Sequence, residues 1–235
     1  LDKIKDKGGR VLKNAKVQLI FWGKWNDPSI DPSKEKIETA VQHIIDSDYY
    51  SKLNQYRGIQ KPAYLGSAVN DKSNLPHTFD DGDIEKAIGE SIDNHLVPDY
   101  RSFDNGQIIY IVILAPGHYS ADPDDEGTDA YHYNFKYKRD HKGVFAIYFG
   151  FPNKKRDLHS VTRALAHEIA ESCTNPMDND QAFIGPPQED EDSEIADYCE
   201  KEIGTVNGEI VEGYWSNSDG GCVIPGGSNI RPVPE

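Results

Sequence analysis

The longest apolar stretch of the chain, residues 108–115 (IIYIVILA), constrains the fold more than any other segment. It falls well short of the ~18 residues that a membrane span needs. Its length and its β-branched composition are those of a buried strand, so it is expected as the central strand of a sheet. Residues 16–23 (KVQLIFWG) form a second apolar, β-rich segment, and residues 63–69 a further candidate strand. Between these, residues 32–46 carry Ile37, Val41, Ile44 and Ile45 at helical spacing. Residues 83–96 place Ile84, Ile88, Ile92 and Leu96 four apart, which predicts an amphipathic helix.

After a polar loop at 117–128, residues 131–137 alternate aromatic and polar side chains, and residues 143–149 are again apolar and β-rich. Asp157 is a suitable N-cap for a helix that reaches about Thr174 and stops at Asn175-Pro176. Beyond it the chain reads mostly as loop, with a short helical turn at 194–199. This order of elements predicts an α/β or α+β fold: a mixed sheet packed on helices, one long functional helix, and a loop-rich C-terminal region. A chain of 235 residues can bury one sizeable core, and no independent linker divides it. The reading is a single domain over 1–224 with a loose tail at 225–235.

The 25 basic and 40 acidic residues leave a net charge of −15, which argues against nucleic acid, whose phosphates are bound by Lys and Arg. It equally disfavours an anionic membrane surface. Such a surface suits an extracellular or cation-holding protein, or simply a well-solvated one. The opening Leu1-Asp2-Lys3 reads as a processed end, and three cysteines suffice for one bridge and one thiol. Secretion is the expectation.

The segment His167-Glu168-Ile169-Ala170-Glu171 carries the chemistry. Residues four apart on a helix share a face, so His167 and Glu171 can converge on one ion. Leu158, Val161, Leu165 and Ile169 form the opposite, core-facing stripe. Glu168 then sits beside the pair, as the general base does in an H-E-x-x-H helix. An imidazole and two carboxylates would neutralise a dication. Its water would be acidified less than in a histidine-rich site, and the harder oxygen ligands would relax the preference for zinc over manganese or iron. An H-E-x-x-E match arises by chance at roughly the few-per-cent level in a chain of this length. Three ionisable groups in the middle of an Ala/Ile-rich helix nevertheless need something to pair them.

The surrounding residues add a resemblance. LAHEIAESCTNP is similar to the HExxExxTxP stretch of a group of secreted bacterial proteins, and to the HELAE…NP stretch of the plant EXORDIUM (phosphate-induced) family. Glu194-Ile195-Ala196-Asp197-Tyr198-Cys199-Glu200 resembles their EIADLCE-type segment, and Trp215-Ser216-Asn217 followed by Gly221-Cys222-Val223 resembles the bacterial WSN…CV ending. Upstream, Gly8-Gly9-Arg10-Val11-Leu12 leading to Val17-Gln18-Leu19-Ile20-Phe21-Trp22-Gly23 resembles the GGPVL…VYLIFWG opening, and Ala130-Tyr131-His132 falls where relatives carry G-Y-H. The likeness implies a zincin-like metallopeptidase with one zinc per chain and a protein or peptide substrate. EXORDIUM proteins are described as growth-related wall proteins, so the rival is a non-catalytic wall- or surface-binding protein with a structural or vestigial metal. A glycan-binding module is a third reading. The acidic loop at 177–193 departs from the family pattern, and substrate detail does not carry over.

Glu194 is the first candidate for the third ligand, at a separation from Glu171 similar to that in thermolysin-like enzymes. Asp197 is then expected to orient His167, or to ligate in its place; Asp178 is a further alternative. His132 is a candidate for steadying an oxyanion, against the plainer role of a structural strand histidine. The EDED run at 189–192 reads as a solvated loop, with calcium as the alternative. Cys199 and Cys222 flank the WSN segment as a possible bridge, and Cys173 falls on the apolar side of the helix as a buried thiol. The functional expectation is a secreted zinc endopeptidase with Glu168 as general base.

Overall fold

The computed structural model describes residues 3–103, 107–121, 130–137, 143–149, 157–188 and 191–229; at 143–149, 188, 191, 192 and 229 the description is of the backbone. Helices and sheets are mixed along the chain in an α+β arrangement. Contacts divide it into two compact units, one of residues 1–15, 40–63 and 162–235, the other of 16–39 and 64–161. The sequence, read as one domain through 224, carries no linker at this division because the chain passes back and forth between the units.

The second unit is built on a five-stranded sheet. Its strands are β1 (Lys16–Trp22), β2 (Ala63–Asn70), β3 (Ile108–Leu114), β4 (Ala130–Lys136) and β5 (Gly143–Phe149), in the spatial order β2-β1-β3-β5-β4. Strand β3 runs parallel to both β1 and β5, and β4 closes one edge antiparallel to β5. Every residue of β3 is buried. A strand flanked and covered in this way has no polar face, which is why its sequence does not alternate. Strand β4 does alternate: Tyr131, Tyr133 and Phe135 pack on the core, so His132 and Asn134 point to the opposite face.

Helix α1 (Lys34–Asp46) follows β1, and α2 (Asp81–Asp93) supplies Ile84, Ile88 and Ile92 to a core with Ile20, Trp22, Tyr110 and Val112. Asp80 and Asp83 form a reciprocal capping box at the start of α2. The isoleucine spacing carried the expected helix on to Leu96. Instead the helix ends a turn earlier, His95 takes a left-handed conformation (φ 56°), and Leu96 is exposed. The Tyr137 ring packs directly on Gly89, where a Cβ would lie 2.4 Å from it and force the ring to shift. Among the described residues no helix is long and apolar enough to cross a membrane.

The first unit gathers around helix α3 (Leu158–Thr174), from Thr162 onward. The region read as mostly loop contains more structure than expected. Phe183–Gln188 pairs antiparallel with Lys5–Asp6 and with Glu191–Ser193. Ile203–Val206 and Glu209–Glu212 form a hairpin across Asn207-Gly208, both with positive φ (47° and 88°), the turn type that Asn-Gly favours. Tyr214–Ser216 pairs with Gly221–Val223. The stretch expected as a loose tail begins inside the fold, since Ser228–Asn229 pairs with Ile203–Val206; residues 230–235 lie outside the described ones. Cys199 and Cys222 are joined in a disulfide, and Cys173 is a free, buried thiol.

Candidate metal centre

Helix α3 has the ends its sequence predicts. The Asp157 carboxylate accepts a hydrogen bond from the Ser160 amide at 2.8 Å, and this bond holds its pKa below the usual carboxylate range. At the other end the Asn175 amide donates to the Glu171 carbonyl before Pro176 stops the helix. Val161, Leu165, Ile169 and Cys173 are buried as expected, while Leu158, the first residue of the stripe, is half-buried. The face expected to line a cleft is also covered: Glu171 is 3% exposed, Glu168 8% and the His167 side chain 12%. Burying three ionisable groups on one helix face is costly unless each finds a partner.

Those partners come from two later segments. The His167 Nε2 lies 3.2 Å from Glu171 Oε2 and 3.4 Å from Asp197 Oδ1. Ligand atoms of these three residues all lie within 4.8 Å of one another. Donors placed tetrahedrally at zinc bond lengths stand about 3.3–3.6 Å apart, so the two measured edges are near those of a tetrahedral site. The second oxygen of Glu171, Oε1, accepts from the backbone amides of Ala196 (3.0 Å) and Asp197 (3.3 Å). The turn carrying Asp197 is thereby fastened to the helix carboxylate. The disulfide from Cys199 to Cys222 and a hydrogen bond from the Trp215 amide to the Ile195 carbonyl hold the same turn.

On the other side of the ring, His167 Nδ1 lies 3.1 Å from Glu212 Oε2. Glu212 Oε1 in turn accepts from Arg163 Nε (3.0 Å) and Nη2 (2.6 Å). Burial opposes a charge on His167, but Glu171, Asp197 and Glu212 outweigh it and raise its pKa well above the ordinary imidazole value. Burial also raises the Glu171 carboxyl; His167 pulls it back, and the neighbouring Glu194 and Asp197 push it further up. A proton on Nε2, or a divalent ion in its place, satisfies both carboxylates. Buried His167, Glu171 and the partly buried Asp197 are thus a group able to hold a metal ion.

Comparison with protein-family models, curated proteins and solved structures finds no match to this chain.

Of the residues singled out in the sequence, His167, Glu171 and Asp197 come together. Glu168 brings a carboxylate oxygen within 4.8 Å of one on Glu171. Glu194 stands outside the ligand group: its Oε1 accepts from Asn175 Nδ2 at 2.7 Å, and its amide donates to Asp197 Oδ2 at 2.6 Å. Asp197 lies at Nε2 and not at Nδ1, where an orienting carboxylate belongs; Glu212 occupies that position. His132 sits half-buried on β4 in the other unit, opposite Ile147 in the ladder. The calcium alternative at 189–192 falls outside the described residues and side chains. Glu212 and Arg163 escaped sequence reasoning. The usable signals were the Asn207-Gly208 turn, which predicts a hairpin ending at Glu212, and Arg163 four residues before His167 on the same helix face.

Proposed function

We propose that this chain is a zinc-dependent endopeptidase of zincin-like plan, working outside the cell. The observation that carries the reading is the triangle of His167 Nε2, Glu171 Oε2 and Asp197 Oδ1, with edges from Nε2 of 3.2 and 3.4 Å. An imidazole and two carboxylates fit a dication in charge, and three protein donors leave one position open, as catalytic zinc requires. When bound, the metal supplies Lewis acidity toward a carbonyl and a water.

Glu168 does the proton work. Its carboxylate takes a proton as water adds to the scissile carbonyl carbon, and returns it to the amine nitrogen as the C–N bond breaks. His167, Glu171 and Asp197 hold their positions throughout. The mixed sheet with one antiparallel edge strand and the long helix bearing the ligand pair support the zincin-like plan. The Cys199–Cys222 disulfide supports an oxidising, extracellular setting.

The test is hydrolysis of unfolded casein by protein of known zinc content, with and without chelator, for the wild type and Glu168→Gln. The Gln variant should keep its zinc and lose activity by about 10²–10⁴-fold. A zinc-loaded wild type inert across a broad peptide library, or a Gln variant as active as wild type, overturns the mechanism. The near-complete burial of Glu171 favours one second reading, a surface- or wall-binding protein whose metal is structural. That reading predicts zinc and no hydrolysis.

A further inference from the structure

Metal binding through His167 needs a lone pair on Nε2 and a ring that does not turn. A free imidazole offers either nitrogen, and which one binds is set by the hydrogen bond made by the other. Nε2 faces Glu171 and Asp197, while Nδ1 faces Glu212 Oε2 at 3.1 Å. A carboxylate oxygen only accepts hydrogen bonds, so Nδ1 carries a proton and Nε2 is left for the ion.

Glu212 is itself tightly held. Arg163 Nε and Nη2 both donate to Oε1, at 3.0 and 2.6 Å, which leaves Oε2 to the imidazole. Arg163 lies four residues before His167, so one helix face presents both ring and guanidinium to the same carboxylate. The backbone around Glu212 is anchored as well. The buried Tyr49 hydroxyl donates to the Glu212 carbonyl at 2.6 Å, and Thr162 Oγ1 to the Ile210 carbonyl at 2.6 Å. Arg163 also cancels the charge of Glu212. Of the carboxylates that face the His167 ring, Glu171 and Asp197 are thus left to balance the ion.

We propose that Glu212, clamped by Arg163, is the positioning residue that fixes the His167 imidazole as a Nε2 ligand; this rests on the metal reading above. Glu212 touches neither the ion nor a substrate in this role. Its effect is on metal affinity and on which nitrogen binds.

The experiment measures zinc affinity by chelator competition for wild type, Glu212→Ala, Glu212→Gln and Arg163→Met, with folding followed by circular dichroism. Loss of such an orienting partner weakens metal binding by about 10–100-fold, the loss expected for Glu212→Ala. Glu212→Gln retains a carbonyl acceptor for Nδ1–H and should recover part of it; Arg163→Met should fall between wild type and Ala. Should the Ala variant fail to fold, the Gln and Met variants carry the same test. In zinc-loaded, ¹⁵N-histidine-labelled protein, the signal absent from His167→Ala should show a protonated Nδ1 and a coordinated Nε2. Affinities of folded variants within twofold of wild type, or coordination through Nδ1, overturn the role of Glu212 and leave the metal reading standing. A wild type that takes up no zinc overturns both.

Discussion

Glu194 and Asp197 belong to one turn, yet their carboxylates end in different places. Both are acids beside an apolar Ile-Ala pair, and the spacing from Glu171 favours Glu194. The turn decides: the Asp197 side chain reaches back to the Glu194 amide and presents Oδ1 to His167, while Glu194 is taken by Asn175. We therefore expect His167→Ala, Glu171→Ala and Asp197→Ala each to abolish stoichiometric zinc binding, whereas Glu194→Ala weakens it less. Metal analysis of the dialysed proteins checks this, and the reverse order for Asp197 and Glu194 contradicts the ligand set. Cys173 gives a second residue-scale prediction. Burial pushes its thiol up to about 12, so it should resist thiol reagents at pH 8 until the protein is denatured. The sign of its pH effect follows. An unfolded thiol ionises near ~8.5 while the native one keeps its proton, so the unfolded state binds fewer protons above that pH and stability falls as pH rises. Urea midpoints at pH 8 and 10.5 should converge more for Cys173→Ala than for wild type.

Helix α3 was legible from cap to stop because both signals are local: an aspartate that accepts from the first turn and an Asn-Pro that cannot continue it. Strand β3 was legible because seven apolar residues in a row, rich in β-branched side chains, suit a strand buried on both faces. The hairpin ending at Glu212 was not read, although Asn207-Gly208 marks it. Its strands are four residues each and carry Glu209 and Glu212, so the apolar alternation that usually betrays a strand is weak. The turn gives an element-scale prediction. Gly208 has φ 88° with open space around its Cα, so Gly208→Ala meets backbone strain alone. A left-handed conformation costs a non-glycine residue about 1–2 kcal/mol, and equilibrium urea unfolding should show a loss of that size. No loss would mean that the turn relaxes without strain.

At the scale of the molecule, the Cys199–Cys222 bridge closes a loop with a sequence separation of 23 and staples the turn that bears Asp197. Cross-linking a loop of this size stabilises by ~3 kcal/mol in the chain-entropy model. Reduction should therefore lower the urea midpoint and weaken zinc binding together. Intact mass after denaturation and alkylation without reductant should show a single modified thiol, and three would exclude the bridge. The local sequence determined helices α1 to α3 and the strands of the five-stranded sheet, that His167, Glu168 and Glu171 lie close along one helix, and that Cys173 is buried, because periodicity and caps act over a few residues. The division into two units, the pairing of Ser228–Asn229 with Ile203–Val206, the choice of Asp197 at Nε2 and the arrival of Glu212 at Nδ1 were decided only in the tertiary structure. Each depends on where segments distant along the chain are brought to rest by packing and backbone hydrogen bonds, and no short-range pattern encodes that.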